Sequence, residues 1–229
     1  MQDKQAAFQQ HGVIKIPGVL DPATCELLTK YVRMKAQNFS NIRKGNDPLS
    51  GVHREYGDPM METLLDQFTP MIEAATGLSL WPTLSFYYHY THGNILAPHK
   101  DRSSCEVVAG LCIGADPEYR KNMGSWPLLI KDTAPLTLDY GDLVIFRGHT
   151  MQHWREKFTG AWFISAIFGY VDQNGPFSFQ KYDQRSALGK KHVGMLRWYF
   201  GIFRALLREN INNAAISSSS KKGRFFFGN

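Results

Sequence analysis

From Leu78 to Val171 the chain is a succession of short, apolar, strand-like runs. They lie at 80–90, 106–113, 126–131, 135–138, 143–147 and 161–171, and Gly, Pro and Asp turns separate them. Runs of this length and punctuation leave few options beyond a closed antiparallel architecture, a barrel or a jelly roll. The strongest is Trp162-Phe163-Ile164-Ser165-Ala166-Ile167-Phe168-Gly169-Tyr170-Val171. No internal repeat is visible, and 229 residues fill one core well while being short for two independent domains.

Ahead of the strands the pattern is helical. Asp21-Pro22 reads as N-cap and first residue of a helix reaching about Gln37, with apolar Leu27, Leu28, Tyr31, Val32 and Met34. Met60 to Thr76 reads as a second helix, stopped by Gly77. Between them, Asn38 to Asp58 is polar and turn-rich, and a loop that long in a compact domain is often a lid over a pocket. Arg43, His53, Arg54 and Tyr56 are its candidate substrate contacts, against the plainer role of solvated loop residues. The fold class expected is mainly β with flanking helices (α+β).

Among these elements sits His99-Lys100-Asp101, soon after the strand-like Ser85-Phe86-Tyr87-Tyr88-His89-Tyr90. Two imidazoles and one carboxylate are the ligands of the facial triad that holds non-haem Fe(II) with positions left open. Alternate residues of an extended strand point the same way, so His99 and Asp101 can aim at one ion. Two later histidines compete for the third place. His149 follows Arg147-Gly148, where the strand has already turned, and His153 stands four residues further on. In a chain with eight histidines an H-x-D arises readily by chance, so the order of the surrounding parts carries the argument.

A Tyr-rich strand, Gly93, a short loop, H-x-D, apolar strands, the turn Tyr140-Gly141-Asp142, the strand Leu143-Val144-Ile145-Phe146 and a late His follow one another. That order resembles the 2-oxoglutarate- and Fe(II)-dependent oxygenases, whose core is a double-stranded β-helix, a cupin-like jelly roll. Gly12-Val13-Ile14-Lys15-Ile16-Pro17-Gly18-Val19-Leu20-Asp21 resembles the opening strand of prolyl hydroxylase-like and phytanoyl-CoA hydroxylase-like members. The resemblance spans residues 8 to 175 or so and leaves the C-terminal tail outside. His153-Trp154-Arg155-Glu156 looks like the H-W-R-E element of some small members. The resemblance thus implies His99, Asp101 and His153 as catalytic metal ligands, with His149 a loop histidine. It further implies 2-oxoglutarate chelating iron through its C1 carboxylate and keto oxygen, with O2 taking the last position. Succinate and CO2 would leave as an unactivated C–H bond is hydroxylated. Halogenating members carry a small residue at the place of Asp101, so its presence points to hydroxylation.

The far carboxylate of 2-oxoglutarate needs a cation, because burying it unpaired is costly. Resembling proteins place an Arg or Lys on the last core strand, two residues before a Ser. Here Ser165 is present but the matching position is Phe163. Arg155, two residues from His153 and so on its face of a regular strand, is the first substitute, with a surface pair to Glu156 as its plainer role. Arg147, Lys157 and Arg102 follow. Tyr88 and Tyr90 share a strand face and could donate hydroxyls to the same carboxylate, or simply fill the barrel. The Lys that prolyl hydroxylases carry on the last strand is absent, so the substrate stays open among a small molecule, a peptide and a nucleobase.

The net charge of +6 is unevenly spread. Residues 186–229 hold eight Lys or Arg and only Glu209 as acid, which leaves residues 1–185 with 18 bases against 19 acids. The expected organisation is an oxygenase-like domain over 1–185 and a basic tail over 186–229. A neutral core argues against nucleic acid as partner. In the tail, 195–211 reads as a helix with Arg197, Arg204 and Arg208 on one stripe, suited to the core, to a homodimer contact or to a membrane surface. Its end, Ser217 to Gly223, reads as disordered. Three cysteines form no even framework, and the first residues lack the apolar core of a signal peptide, so a cytoplasmic setting is expected. Two rival readings remain. One is a cupin-like metal enzyme without 2-oxoglutarate, and the other is a metal-free binding module acting through the tail.

Overall fold

A computed structural model of the chain describes residues 2–37, 49, 51–123 and 126–190. Arg43 and the expected 195–211 helix lie outside the described residues. The compact unit formed by this part of the chain runs to Lys190.

Helices come first. The chain opens with α1 (Gln2–His11), β1 (Val13–Ile16) and α2 (Pro22–Ala36). Asp21 caps α2 as expected, its carboxylate accepting from the Thr24 amide at 3.0 Å. Then come β2 (His53–Tyr56) and α3 (Pro59–Thr76), capped by Asp58 and closed by Gly77 at φ 74°. Two of these elements differ from expectation. Helix α1 has little apolar periodicity, and of its side chains only Phe8 is buried. Strand β2 lies inside the stretch expected to be loop, because neighbouring groups satisfy its polar residues. Glu55, for instance, accepts from the Tyr87 hydroxyl and pairs with Lys35, both at 2.7 Å.

The remaining strands are β3 (Leu80–Thr91), β4 (Leu96–His99), β5 (Val107–Ala115), β6 (Leu129–Ile130), β7 (Leu143–Phe146), β8 (His153–Arg155) and β9 (Trp162–Asp172), with helix α4 (Pro117–Met123) after β5. The run at 135–138 contributes only an isolated bridge, Leu128 to Leu136. One antiparallel sheet has the order β1-β7-β5-β9-β3-β2 and the other β4-β8-β6. From β3 to β9 successive strands alternate between the two sheets, the winding of a double-stranded β-helix.

Alternation along the large sheet builds two cores. In β5, Val107, Ala109, Leu111 and Ile113 pack with Phe8, Leu28, Val32, Leu65 and Ile72 under the helices. Val108 and Cys112 face the other way, into a barrel interior shared with Tyr88, Tyr90, Leu96, Trp126, Leu128, Phe146 and Phe163. Each large aliphatic or aromatic side chain buried this way contributes about 1.5–3 kcal/mol. The barrel interior also holds polar groups, and they mark the site.

Candidate metal and cosubstrate site

Strands β4 and β8 pair so that His99 stands directly opposite His153. Their rings lie 4.3 Å apart between centroids. Asp101 follows β4, and its amide donates to the Gly148 carbonyl at 3.0 Å. The Asp101 carboxylate thereby sits 3.5 Å from His99 Nε2 through one oxygen and 3.6 Å from His153 Nε2 through the other. One ligand atom from each of the three residues falls within 4.8 Å of the others.

The hydrogen bonds fix which nitrogen each ring turns inward. His99 Nδ1 lies 2.8 Å from the Ala97 carbonyl and His153 Nδ1 lies 3.1 Å from the Met151 carbonyl. A carbonyl can only accept, so both Nδ1 atoms carry the proton and both Nε2 lone pairs face inward. Burial, the largest influence, lowers the His153 pKa and favours the neutral, ligating form. Asp101 Oδ2 is buried and has no hydrogen-bond partner among the described residues. An orphan carboxylate oxygen facing two imidazole lone pairs is a donor set for a cation. His149 stands apart. Its Nδ1 donates to the Asp101 backbone carbonyl at 3.2 Å and its ring packs edge-on to Phe177.

Behind these three residues is a narrow cavity of about 60 Å³, lined by Tyr88, Tyr90, Leu128, Val144, Arg155 and Ser165 among others. Arg155, two residues past His153 on the same face, points into it and is only 6% exposed. Its guanidinium donates to the Trp126 carbonyl and lies 4.9 Å from the Trp126 ring centroid and 5.0 Å from that of Phe163. Among the described residues no carboxylate pairs with it. Burial lowers its pKa, as it does for any cation removed from water. The expected surface pair with Glu156 is not formed, because β8 turns Arg155 inward and Glu156 out, where it accepts from Trp154 Nε1 at 3.0 Å. Tyr88 and Ser165 are register partners on β3 and β9, and Tyr90 is the partner of Phe163.

The other candidate cations do not reach this cavity. Arg147 directly follows β7, whose even-numbered residues, Val144 and Phe146, face the barrel. It therefore turns to the helices, stacking 4.9 Å over Phe8 and donating to Gln9 at 3.3 Å. Arg102 pairs with Asp183 at 2.7 Å, and Lys157 is exposed. Of the candidate lid residues, His53 faces away from the barrel towards Tyr87, at 3.5 Å, while Arg54 and Tyr56 are half-buried beside Tyr88 and Phe86.

Gly148 has a role the sequence reading missed. A Cβ there would stand 2.5 Å from Asp101 Oδ2, 2.6 Å from Val108 Cγ2 and 2.9 Å from the Cys105 carbonyl. Only a residue without a side chain lets the two segments approach. The Gly-His pair gave the one available signal, though it read there simply as the end of a strand.

No protein-family model and no curated protein matches this chain. Solved structures do. A Pseudomonas putida prolyl-4-hydroxylase superposes with TM-score 0.58 at 17% identity, over 74% of this chain and 97% of its own. The 2-oxoglutarate-dependent epimerase SnoN of nogalamycin biosynthesis gives 0.63 at 15% identity, over 83% and 91%. The fold is that of the 2-oxoglutarate- and Fe(II)-dependent oxygenases. HygX from Streptomyces hygroscopicus, solved with nickel, 2-oxoglutarate and hygromycin B, shares this oxygenase fold at 12% identity and TM-score 0.55, over 76% and 88%. Identities this low establish architecture. The chemistry must be argued from the residues.

Proposed function

We propose that this chain is an Fe(II)- and 2-oxoglutarate-dependent oxygenase that hydroxylates an unactivated C–H bond. One observation carries the reading. Two inward-facing imidazole nitrogens and a buried carboxylate oxygen line one cavity together with a buried arginine that, among the described residues, no carboxylate pairs with. A cation site beside an anion site, with His153 and Arg155 two residues apart on β8, matches a ligand with a chelating head and a carboxylate tail.

His99, Asp101 and His153 would hold the iron. Bound there with 2-oxoglutarate and O2, it supplies oxidative decarboxylation to succinate and CO2 coupled to insertion of one oxygen atom into substrate. The chain's own contribution is placement. The Ala97 and Met151 carbonyls orient the imidazoles, and Arg155 receives the distal carboxylate, with Tyr88, Tyr90 and Ser165 within the same lining. Leu128, Val144 and Phe146 keep water from the reacting end, which strengthens each charge interaction inside.

The substrate is one that reaches the cavity beside His99, Asp101 and His153. A small molecule, a peptide and a nucleobase remain open. Anaerobic titration with Fe(II), with and without 2-oxoglutarate, tests the reading through the visible metal-to-ligand charge-transfer band. The expected band needs both components and is lost in His99→Ala. Iron bound with no band would instead support the metal enzyme that uses no 2-oxoglutarate. No specific iron binding would end both readings.

A further inference from the structure

After β9 the chain turns back as a strap, residues 177–190, packed on the loop that carries Asp101. Three successive residues with side chains, Tyr182, Asp183 and Gln184, stand at φ 53°, 54° and 61°. L-residues visit that left-handed region singly, and a run of three persists only where surrounding contacts over-determine it.

Those contacts converge on one neighbour. The Asp183 carboxylate, 3% exposed, accepts from the Tyr56 hydroxyl and the Arg102 guanidinium, both at 2.7 Å. Gln180 donates to the Ser103 hydroxyl at 3.2 Å. Phe177 packs against His149 with 4.9 Å between ring centroids. Arg102 and Ser103 are the two residues after Asp101, and His149 is the side chain that donates to its carbonyl. The strap thus grips the candidate ligand's surroundings at three points. Its far end is anchored separately, by Arg185 on Glu62 at 2.5 Å and on the Thr83 carbonyl at 3.0 Å, and by the Gly189 amide on Glu62.

We propose that this strap is a working part of the metal site, and that Asp183 is a positioning residue which, through Arg102, holds Asp101 in reach of the two histidines. The inference rests on the metal reading above. Asp101 lies beyond the end of β4, where strand pairing no longer fixes its backbone. Its bonds to the segment at 148–149 hold one side, and the strap supplies the other. A left-handed turn at Asp183 is what brings its carboxylate inward to Arg102 and Tyr56 together. Its neighbours at 182 and 184 share the backbone strain without sharing that link.

Anaerobic Co(II) titration, followed by the visible d–d bands, tests this in the full chain. Asp183→Gly removes the carboxylate where glycine adopts φ near +54° freely, so the backbone loses nothing. The expected result is a loss of Co(II) affinity of about tenfold or more, as for other groups that orient metal ligands, with an unchanged far-ultraviolet circular dichroism spectrum before metal is added. Asp183→Asn, which tolerates the same φ and keeps one accepting oxygen, falls between. Arg102→Gln cuts the same link at a side chain that is 55% exposed, and it decides the matter alone should Asp183→Gly fail to fold. Wild-type Co(II) affinity in the folded variants overturns the proposal and leaves the metal site standing. Absence of Co(II) binding by the wild type overturns the metal site itself, and the strap's role with it.

Discussion

The Arg155 guanidinium lies 5.0 Å from the ring of Phe163, one on β8 of the small sheet and the other on β9 of the large sheet. In resembling proteins the position of Phe163 carries the cation. Arg155, proposed above to receive the far carboxylate, stands on the facing wall, and the Phe163 ring packs beside it. Arg155→Met should therefore cost 2-oxoglutarate binding about 2–5 kcal/mol, thirtyfold or more, the range for truncating one side of a buried charge pair. Iron binding without cosubstrate should be unaffected. Removing an unpaired buried charge should leave the melting temperature unchanged or raise it. Adding Phe163→Arg to that variant should restore part of the affinity. Isothermal titration of the three proteins measures this, and equal affinities would remove Arg155 from the site.

Gly148 sets the distance between the Asp101 loop and β7. The Cβ of Gly148→Ala would meet a carboxylate oxygen, a valine methyl and a backbone carbonyl, and the carbonyl cannot move without the helical turn at Ser103–Cys105. The variant should lose about 1–3 kcal/mol of stability from overpacking. It should lose iron affinity more steeply than a remote variant of equal stability, since Asp101 is the softest of the three obstacles. Paired melting and metal titrations check both. A destabilised protein with intact iron affinity would show that the strain is taken up elsewhere.

What could be read in advance, and what could not, follows from the length and chemistry of each element. Strand β9 is eleven residues of apolar and aromatic character, long enough to read as a strand, though burial on both faces leaves no alternation to tell them apart. The three-residue β8 is too short for periodicity, so in the sequence His153 stands out from His149 only by likeness to a family element. Strand parity then decided the cations. Arg155 shares a face with His153, whereas Arg147 lies on the face opposite Val144 and Phe146. Strand β2 reads as His-Arg-Glu-Tyr and looks like loop because its partners, Lys35 and Tyr87, are remote in sequence. The left-handed turn at 182–184 contains no glycine, so nothing local announces it. The Asp183 carboxylate there meets partners remote in sequence, Arg102 at 81 residues and Tyr56 at 127.

The two late histidines should separate cleanly by substitution. His153→Ala removes a candidate ligand and should abolish stoichiometric Fe(II) binding. His149→Ala removes only a bond to the Asp101 carbonyl and the packing on Phe177, so it should still bind one iron per chain, with affinity lowered less than about tenfold. Equilibrium dialysis against Fe(II) under argon measures both. Loss of iron in His149→Ala alone would exchange their roles.

Acid sensitivity should trace to neutral, buried histidines. The pKa of His89 is held down to about 4, chiefly by burial and then by His53 and Arg33, and His53 and His153 shift the same way for the same main cause. In the unfolded chain such a histidine takes up its proton near about 6.5. Between that value and about 4, the unfolded state binds more protons than the folded one, so stability falls as pH falls and rises as pH rises. The contribution is fully present above the unfolded pKa and is gone once pH has dropped through the folded one. Urea midpoints measured across this window should decline for the wild type. They should decline less for His89→Gln, and the difference between the two curves isolates His89 from the carboxylates that titrate nearby. Parallel curves would mean that His89 takes up its proton in the folded state at an ordinary pH.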